Sequence, residues 1–323
     1  MLQQEIYNSQ RKSVKKESKI FVAGYRGLLG SAIHRRLIDQ GYTNILTVGK
    51  DTVDLTNQSA VNQWFKHNQP EYVFLAAARV GGIEANNRFS GDFILENLLI
   101  QTNVINAAFK NNSKKLLFAG SNCVYPKFPN LPITEDQLLT GPLEPMNEAY
   151  AVAKIAGIKL CQHLKKQYGF DAISIMPCNL YGPNDSFGPE KSHVMAAMIS
   201  KFITAKNNSD PSITLWGDGS AQREFLYGDD VADAAILCML KYNDLEPINV
   251  ASGEEMPLRD LAAILKTASE FSGDIIWDTT KPTGTPKKGL DISKLINLGW
   301  EQRYPLARGV PLAIKWYEEN NYK

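Results

Sequence analysis

A short apolar strand followed at once by a glycine-rich turn and a helix is the feature that most constrains the fold of this 323-residue chain. The strand reads Ile20-Phe21-Val22-Ala23, and the helix is predicted over Ser31–Gln40. Glycines at this junction permit a tight turn, let a phosphate approach the backbone and let the helix pack on the strand, while the helix N-terminus offers free N–H groups. A dinucleotide pyrophosphate is therefore predicted to contact the loop residues Gly24, Arg26, Gly27, Leu28, Leu29 and Gly30.

Further strand-like and helix-like segments alternate along the first half of the chain. The predicted strands are Lys19–Ala23, Ile45–Val48, Tyr72–Ala77, Leu116–Ala119 and Ala172–Met176, and the amphipathic helices between them include Ala60–His67, Phe93–Phe109 and Ala149–Tyr168. Alternation with near-continuous apolar strands is typical of a parallel sheet covered by helices on both faces. We therefore predict an α/β fold with a Rossmann-type, doubly wound parallel sheet.

The pattern becomes less regular after Tyr181, where Gly182-Pro183-Asn184 and the breaker-rich loop Lys281–Pro286 interrupt it. A strand-like piece at Ile248–Ala251 is predicted to return to the main sheet. We therefore expect a flexible tail over residues 1–18, a nucleotide-binding domain over 19–182 with a returning segment near 221–252, and a smaller, discontinuous α/β substrate-binding domain over 183–220 and 253–323.

The residues after the second strand favour NADP(H) as the cofactor. An acidic residue there bonds the ribose 2′-hydroxyl of NAD, whereas cations accommodate a 2′-phosphate. Lys50 and Arg26 provide two such cations, although the neighbouring Asp51 leaves NAD(H) open. Asp54 is a candidate for holding the adenine edge.

Composition excludes several classes of function. Lys and Arg total 35 against 34 Asp and Glu, so no overall field would recruit nucleic acid or an anionic membrane. The four cysteines show neither a disulfide framework nor metal-ligand spacing, and the histidines are scattered, so a metal-free mechanism in the reducing cytoplasm is expected. No apolar run is long enough to span a bilayer.

Three polar residues are predicted to meet at the carboxyl edge of the sheet. Tyr150 and Lys154 are four apart in a helical segment and share one face, where the ammonium can lower the phenol pKa and hold the nicotinamide ribose. Ser121 ends the fourth predicted strand, at the edge where open α/β sheets bind ligands. The Tyr–Lys spacing alone is common, and the serine gives it weight.

The glycine loop and the Ser121, Tyr150 and Lys154 triad resemble the extended branch of the short-chain dehydrogenase/reductase family, from Lys19 onward. Four further motifs are similar to the members of that branch that act on GDP-linked 4-keto-6-deoxyhexoses. These motifs are Gly120–Pro126, Asn179–Pro183, Ser192-His193-Val194 and the segment from Trp216-Gly217-Asp218-Gly219 to Arg223-Glu224-Phe225. One departure is Asn122, where the resemblance implies a second serine.

The resemblance implies inversion at C3 and C5 of the sugar followed by reduction of the C4 ketone by NADPH. Cys123 would be the base and His193 the acid of the inversions. Tyr150 would donate the proton in the reduction, with Ser121 orienting the carbonyl. Cofactor contacts are further implied for Lys154, Pro177, Asn179, Leu180 and His193, and substrate contacts for Lys201, Trp216, Arg223 and Lys288. A GDP-sugar is the expected substrate, and a homodimer formed through the two long helices is the expected assembly.

Two other functions are compatible with parts of this pattern. A 4-epimerase or 4,6-dehydratase would share the fold, but a dehydratase needs a carboxylate beside the triad serine, where this chain has Asn122 and Cys123. A non-catalytic dinucleotide sensor would keep the glycine loop without the chemistry. The intact Ser, Tyr and Lys set argues against a sensor.

Overall fold

The computed structural model describes residues 14–188, 192–281 and 286–321. In these ranges the strands are β1 (Ile20–Ala23), β2 (Ile45–Leu46), β3 (Tyr72–Leu75), β4 (Lys115–Ala119), β5 (Ala172–Pro177), β6 (Asn179–Tyr181), β7 (Ser212–Trp216), β8 (Gln222–Arg223), β9 (Phe225–Tyr227), β10 (Ile248–Val250), β11 (Met256–Pro257) and β12 (Asp274–Asp278). The helices are α1 (Leu28–Asp39), α2 (Gln58–Asn68), α3 (Ile83–Arg88), α4 (Ser90–Lys110), α5 (Glu148–Tyr168), α6 (Val194–Asn208), α7 (Gly228–Lys241), α8 (Leu258–Ala268), α9 (Ser293–Asn297) and α10 (Leu306–Asn321). Residues 1–13 of the predicted tail and 282–285 of the predicted breaker-rich loop lie outside the described ranges.

Six strands form the main sheet in the order β10-β5-β4-β3-β1-β2, and every neighbouring pair is parallel. Strands β1, β3, β4, β5 and β10 are buried along their whole length, which accounts for their near-continuous apolar sequences. The chain runs from β1 to β2 on one side and then to β3 on the other, so a crevice opens at the carboxyl ends of β1 and β3. The predicted parallel sheet, with the return of Ile248–Val250, is confirmed.

Helices cover the sheet, and close packing fixes the helix that carries Tyr150 and Lys154. Helix α1 packs against α7, and α4 packs against α2 and α5. The Gln101 side chain in α4 donates a hydrogen bond to the Ala153 carbonyl in α5 at 2.5 Å. A Cβ added at Gly157 would lie 2.5 Å from the Phe118 ring, so glycine there lets α5 approach β4 closely.

A second hydrophobic cluster lies beyond the one that surrounds the main sheet. Its fully buried residues come from α6, α8 and α10 and include Phe202, Ile203, Leu261, Leu265 and Val310. Three small strand pairs accompany it: β7 with β12 and β6 with β9 are parallel, and β8 with β11 is antiparallel. These pairs join segments far apart in sequence, and for that reason the alternation of local patterns did not reveal them.

The end of the predicted tail is hydrogen-bonded to the connection between α1 and β2 rather than loose. Lys16 donates from its ammonium to the Gln40 carbonyl at 2.6 Å and accepts at its own carbonyl from the Thr43 amide at 2.9 Å. Ser18 is buried. Residues 14–18 therefore differ from the expected flexible tail, because backbone and side-chain hydrogen bonds hold them against the connection from α1 to β2.

Candidate active site

The glycine loop has the close backbone contacts that a pyrophosphate cradle needs. Gly24 has a φ of +87°, and an added Cβ would lie 2.7 Å from the Ala77 backbone. At Gly30 an added Cβ would lie 2.1 Å from the Gly24 carbonyl oxygen. Helix α1 begins at Leu28, immediately after Gly27. Side chains are therefore excluded where the loop turns, and the first N–H groups of α1 face the carboxyl edge of the sheet.

The predicted 2′-phosphate end of the site holds an exposed ion pair. The Arg26 guanidinium lies 3.1 Å from an Asp51 carboxylate oxygen, and both side chains are about two-thirds exposed, at 63% and 67%. Lys50, next in sequence to Asp51, is also exposed. The two predicted cations thus lie at the edge of the crevice, and Asp51 pairs with one of them.

Asp54 lies in the turn that precedes α2. One of its carboxylate oxygens accepts hydrogen bonds from the Thr56 amide at 2.9 Å and the Thr56 hydroxyl at 2.8 Å. These bonds stabilise the ionised carboxylate and hold the pKa of Asp54 below its ordinary value. Asn103 of α4 fixes the same turn through the Leu55 and Thr56 carbonyls.

Pro177, Asn179 and Leu180 stand at the carboxyl end of β5 and in the short strand β6 that follows it. The Asn179 side chain donates to the Glu224 carbonyl at 3.0 Å, so the predicted cofactor segment is tied to the predicted substrate segment.

The predicted triad residues meet at the end of β4. The Tyr150 hydroxyl lies close enough to the Ser121 side chain for that side chain to lower its pKa. Lys154 is buried, with 2% of its surface exposed, and donates from its ammonium to the Ala119 carbonyl at 2.7 Å. The same nitrogen lies 5.7 Å from the centre of the Tyr150 ring. The structure therefore brings Ser121, Tyr150 and Lys154 into one group.

Burial dominates the charge states of this group. It raises the pKa of Tyr150 above its ordinary value, and the nearby Cys123 raises it further, whereas the Ser121 side chain lowers it. Burial also lowers the pKa of Lys154 to about 7, against a smaller opposing effect of Cys123. Both groups therefore favour their neutral forms in the protein alone, because each is enclosed by atoms that solvate charge poorly.

Cys123 lies beside the triad, in the short 3-10 turn Asn122–Val124. Its amide donates to the Ser121 hydroxyl oxygen at 3.2 Å, and its Sγ lies 3.9 Å from the Asn122 Oδ1. The thiol is half-buried, while Asn122 is buried. Asn122 thus directs an amide oxygen toward the cysteine, at the position where the resemblance implies a second serine.

His193 stands at the N-terminus of α6, where its carbonyl accepts from the Ala197 amide at 2.9 Å. The residue is open to solvent. Protein nevertheless surrounds the imidazole closely enough to lower its pKa below the ordinary value. The sequence before it packs on a turn that sequence reasoning did not single out: a Cβ added at Gly82 would lie 2.8 Å from the Ser192 carbonyl oxygen.

The predicted substrate residues fall in two groups. Lys201 of α6 donates from its ammonium to the Thr214 carbonyl at 2.9 Å, and Trp216 is two residues farther along the same strand, β7. Trp216 is 56% exposed, with the Lys281 ammonium 5.5 Å from its ring. An exposed tryptophan beside a lysine can stack on a base or cover a sugar.

The second group contains Arg223 and Lys288, both of which interact with Glu255. Glu255 accepts from the Lys288 amide at 3.0 Å and raises the pKa of Arg223 against the larger lowering effect of burial. Buried Glu224 accepts from the Gly253 and Leu290 amides, each at 2.9 Å. Sequence reasoning gave neither glutamate a role of its own, although Glu224 is part of a quoted motif, because their partners are backbone groups more than 25 residues away.

A cavity of about 390 Å³ lies beside α5 but outside this group of residues. Glu148, Ala149 and Val152 line it, and helical spacing puts them on the side of α5 opposite Tyr150 and Lys154.

Two other features are absent from the ranges 14–188, 192–281 and 286–321. No helix there has the length and apolar character needed to cross a membrane. No three His, Cys, Asp or Glu side chains there are grouped so as to hold a metal ion.

A glycine cradle at the reversal of a parallel sheet, with a Ser–Tyr–Lys group at the same edge, defines a dinucleotide-dependent enzyme of the short-chain dehydrogenase/reductase class. Comparison with known families agrees: the model of the family described as "NAD dependent epimerase/dehydratase family" matches residues 20–251. The chain belongs to the NAD dependent epimerase/dehydratase family.

Individual relatives are similar over nearly the whole chain. A protein of Arabidopsis thaliana named putative GDP-L-fucose synthase 2 is 53% identical over 307 residues, covering 95% of this chain and 94% of the relative. The GDP-L-fucose synthase of Escherichia coli (strain K12) is 42% identical, covering 94% of this chain and 98% of that protein. The crystal structure of a GDP-L-fucose synthetase from Naegleria fowleri bound to NADP has a TM-score of 0.89 at 30% identity, covering 97% of this chain and 96% of that one.

Proposed function

We propose that this chain is a GDP-L-fucose synthase, which converts GDP-4-keto-6-deoxy-D-mannose to GDP-L-fucose by epimerisation at C3 and C5 and NADPH-dependent reduction of the C4 ketone. The observation that carries the proposal is the cysteine beside the triad: the Cys123 amide donates to the Ser121 hydroxyl oxygen at 3.2 Å, and both residues are close enough to Tyr150 to shift its pKa. A simple reductase needs Ser, Tyr and Lys, whereas epimerisation also needs a base in the same crevice. The relatives' names support the same activity.

In the epimerisation stage, Cys123 as thiolate removes the proton from the carbon next to the ketone. The electron pair of that C–H bond moves to the C4 oxygen, and the enolate is stabilised by the Ser121 and Tyr150 hydroxyls. His193 in its imidazolium form then donates a proton to the opposite face of the carbon, and the electron pair moves back from the C4 oxygen to form the new C–H bond. Repetition at the second carbon completes the inversions, and proton exchange with solvent restores both residues.

In the reduction stage, Tyr150 donates the proton to the C4 oxygen. NADPH, when bound, supplies the hydride to C4. The loop fits this cofactor because Gly24 and Gly30 leave no room for a Cβ where the pyrophosphate approaches. Lys154 in its charged form would bond the nicotinamide ribose and lower the pKa of Tyr150, while Ser121 orients the carbonyl. Pro177, Asn179 and Leu180 would border the nicotinamide end.

The preference for NADPH is assigned to Arg26 and Lys50, with Asp54 at the adenine edge. The position of Arg26 and Lys50 supports this assignment, because both cations are exposed at the edge of the crevice beyond the glycine loop. A 2′-phosphate would replace Asp51 as the partner of Arg26, since it carries more charge and accepts two guanidinium bonds. The relative solved with NADP supports this cofactor.

The GDP end of the substrate is assigned to Lys201, Trp216, Arg223 and Lys288. The hydrogen bond from Lys201 to β7, which Trp216 ends, supports a single surface for the first pair. Glu255 supports the second pair, because it orients the backbone of Lys288 and partly offsets the burial of Arg223. Arg223 would clasp the pyrophosphate in a bidentate manner.

We further propose two domains, an assembly and a location. Two hydrophobic clusters support a division into a nucleotide-binding domain over 19–182 with the returning segment near 221–252, and a substrate-binding domain over 183–220 and 253–323. The first cluster also contains Leu290, Leu295 and Trp300, so the segment around them packs with the main sheet. Exposed Leu95, Leu99 and Val152 on α4 and α5 support a homodimer through these helices. The four cysteines, all within the described ranges, are free thiols, which supports a reducing cytoplasmic location.

Hydrogen exchange at the sugar tests the proposal. The protein is incubated in D₂O with GDP-4-keto-6-deoxy-D-mannose and NADP⁺, and NMR follows deuterium at C3 and C5. The wild type should label both carbons, and Cys123→Ser should slow labelling at least 100-fold, because removing an acid–base group costs roughly 10² to 10⁴ in rate. His163→Asn, at an exposed histidine of α5, is the control and should label normally. Equal labelling by Cys123→Ser and wild type would remove Cys123 from the mechanism.

A further inference from the structure

The turn Gly81-Gly82 is held from inside by one buried amide side chain. Asn86 in α3 is 7% exposed, and its Nδ2 donates to the Gly81 carbonyl at 2.8 Å and to the Gly82 carbonyl at 3.0 Å. The Phe93 ring packs against the turn, since a Cβ added at Gly81 would lie 3.1 Å from it. The turn connects β3, at the carboxyl edge of the sheet, to α3.

The amide of Asn86 has a donor role only. Its Oδ1 is buried and has no hydrogen-bond partner in the described part of the chain. An unpaired buried acceptor costs about 1–3 kcal/mol. The two hydrogen bonds that the NH₂ group donates offset this cost and hold the side chain in place. Those bonds fix the carbonyls of two glycines, which have no side chains of their own to order them.

Gly82, in the same turn, packs against the segment that carries His193. A Cβ at Gly82 would lie 2.8 Å from the Ser192 carbonyl oxygen, so the Gly82 Cα and that carbonyl are already packed together. Ser192 directly precedes His193, and His193 begins α6. The backbone position of His193 is therefore limited at its N-terminal side by a contact with no spare room.

We propose that Asn86 and Gly82 are positioning residues for His193: Asn86 sets the turn, and the turn sets the distance of the imidazole from the carbon that it protonates. This inference rests on the proposed function, in which His193 is the acid of the epimerisation. Neither residue touches the substrate in this account. Their effect passes through Ser192 to His193 alone.

Two variants displace the turn in different ways. Asn86→Asp keeps the size of the side chain but faces two carbonyl oxygens with an oxygen in place of an NH₂ donor. Gly82→Ala leaves Asn86 intact and forces the Ser192 carbonyl away from the added methyl. Each should lower the rate of deuterium labelling at least tenfold, because a displacement of about 1 Å at a catalytic group costs roughly 100-fold. The dissociation constant for NADPH should change less than twofold.

Matched controls lie close by. Asn87→Asp makes the same chemical change at the next residue, which is exposed, and Gly91→Ala adds a methyl that meets no atom within 4 Å. Both should label the sugar at the wild-type rate. Melting temperatures and NADPH binding of all variants show that the protein is folded.

A double-mutant cycle with His193→Asn decides whether the effect passes through the histidine. Adding Gly82→Ala or Asn86→Asp to His193→Asn should lower labelling less than twofold further, because the group that they position is already gone. Losses that multiply would overturn the inference, as would single variants that label like the wild type. A wild-type protein that labels neither carbon would instead contradict the proposed function, so the two failures are distinguishable.

Discussion

Lysine 154 provides a measurable consequence of the buried triad. Its pKa falls from an ordinary value of 10.5 to about 7 because the ammonium is enclosed beside Ala119 and Phe118. Between these two values the unfolded chain holds a proton that the folded protein lacks, so stability rises with pH across this window. One proton changes the free energy of unfolding by about 1.4 kcal/mol per pH unit. Allowing for curvature near the folded pKa, the gain from pH 7 to pH 9 is about 2 kcal/mol.

The assay compares urea unfolding of the wild type and Lys154→Met at pH 7, 8 and 9. In the free energy of unfolding of the wild type minus that of the variant, the contributions of all other groups cancel. This difference should increase by about 2 kcal/mol from pH 7 to pH 9. Lys66→Met, at an exposed lysine of α2, is the control and should give a flat difference. A flat difference for Lys154→Met would show that the folded protein keeps this ammonium charged and would refute the reasoning.

The same lysine links cofactor binding to pH. If bound NADPH is held by the charged form of Lys154, binding above pH 7 takes up a proton, and affinity should fall as pH rises through 7 to 9. Titration calorimetry in buffers of different ionisation enthalpy measures that uptake directly. Affinity independent of pH, with no proton uptake, would separate Lys154 from the cofactor.

Three further predictions concern the cofactor loop and the reduction. Tyr150→Phe should lower NADPH oxidation roughly 100-fold or more and deuterium labelling much less, since it removes the proton donor of the second stage but leaves the Ser121 hydroxyl to stabilise the enolate of the first; equal losses in both assays would contradict that division. Gly30→Ala should abolish NADPH binding measured by fluorescence, because its Cβ would lie 2.1 Å from the Gly24 carbonyl oxygen, and Gly91→Ala is the matched control. Arg26→Ala should raise the KM for NADPH about tenfold and leave that for NADH nearly unchanged; a similar increase for both cofactors would exclude a 2′-phosphate contact.

Local sequence patterns predicted the nucleotide half of the fold well, because each βα unit there is formed by neighbours in sequence. The observed ends of strands and helices differ from the predicted ones where packing, rather than hydrophobic periodicity, sets the end of an element. Strand β2 ends at Leu46 instead of Val48, and α1 begins at Leu28 instead of Ser31, since the glycine loop itself forms the first helical turn. The second half was harder to predict, because β6 pairs with β9 and β7 with β12 across 45 or more residues.

The candidate site divides in the same way. Ser121, Cys123, Tyr150 and Lys154 carry their chemistry in their side chains and were found from motif and spacing. Glu224 and Glu255 act on distant backbone amides, and Gly82 acts through the absence of a side chain against Ser192. No local pattern signals such contacts, because each depends on where two remote segments meet in the fold.

The central claim is tested most directly by giving the purified protein GDP-4-keto-6-deoxy-D-mannose with NADPH, with NADH and a UDP-linked keto-sugar as comparisons, and reading the product by NMR. Selective oxidation of NADPH that yields GDP-L-fucose is the predicted result. A reduced product inverted at neither C3 nor C5 would contradict the roles of Cys123 and His193 and leave a 4-reductase, and the absence of NADPH oxidation would contradict the proposed function as a whole.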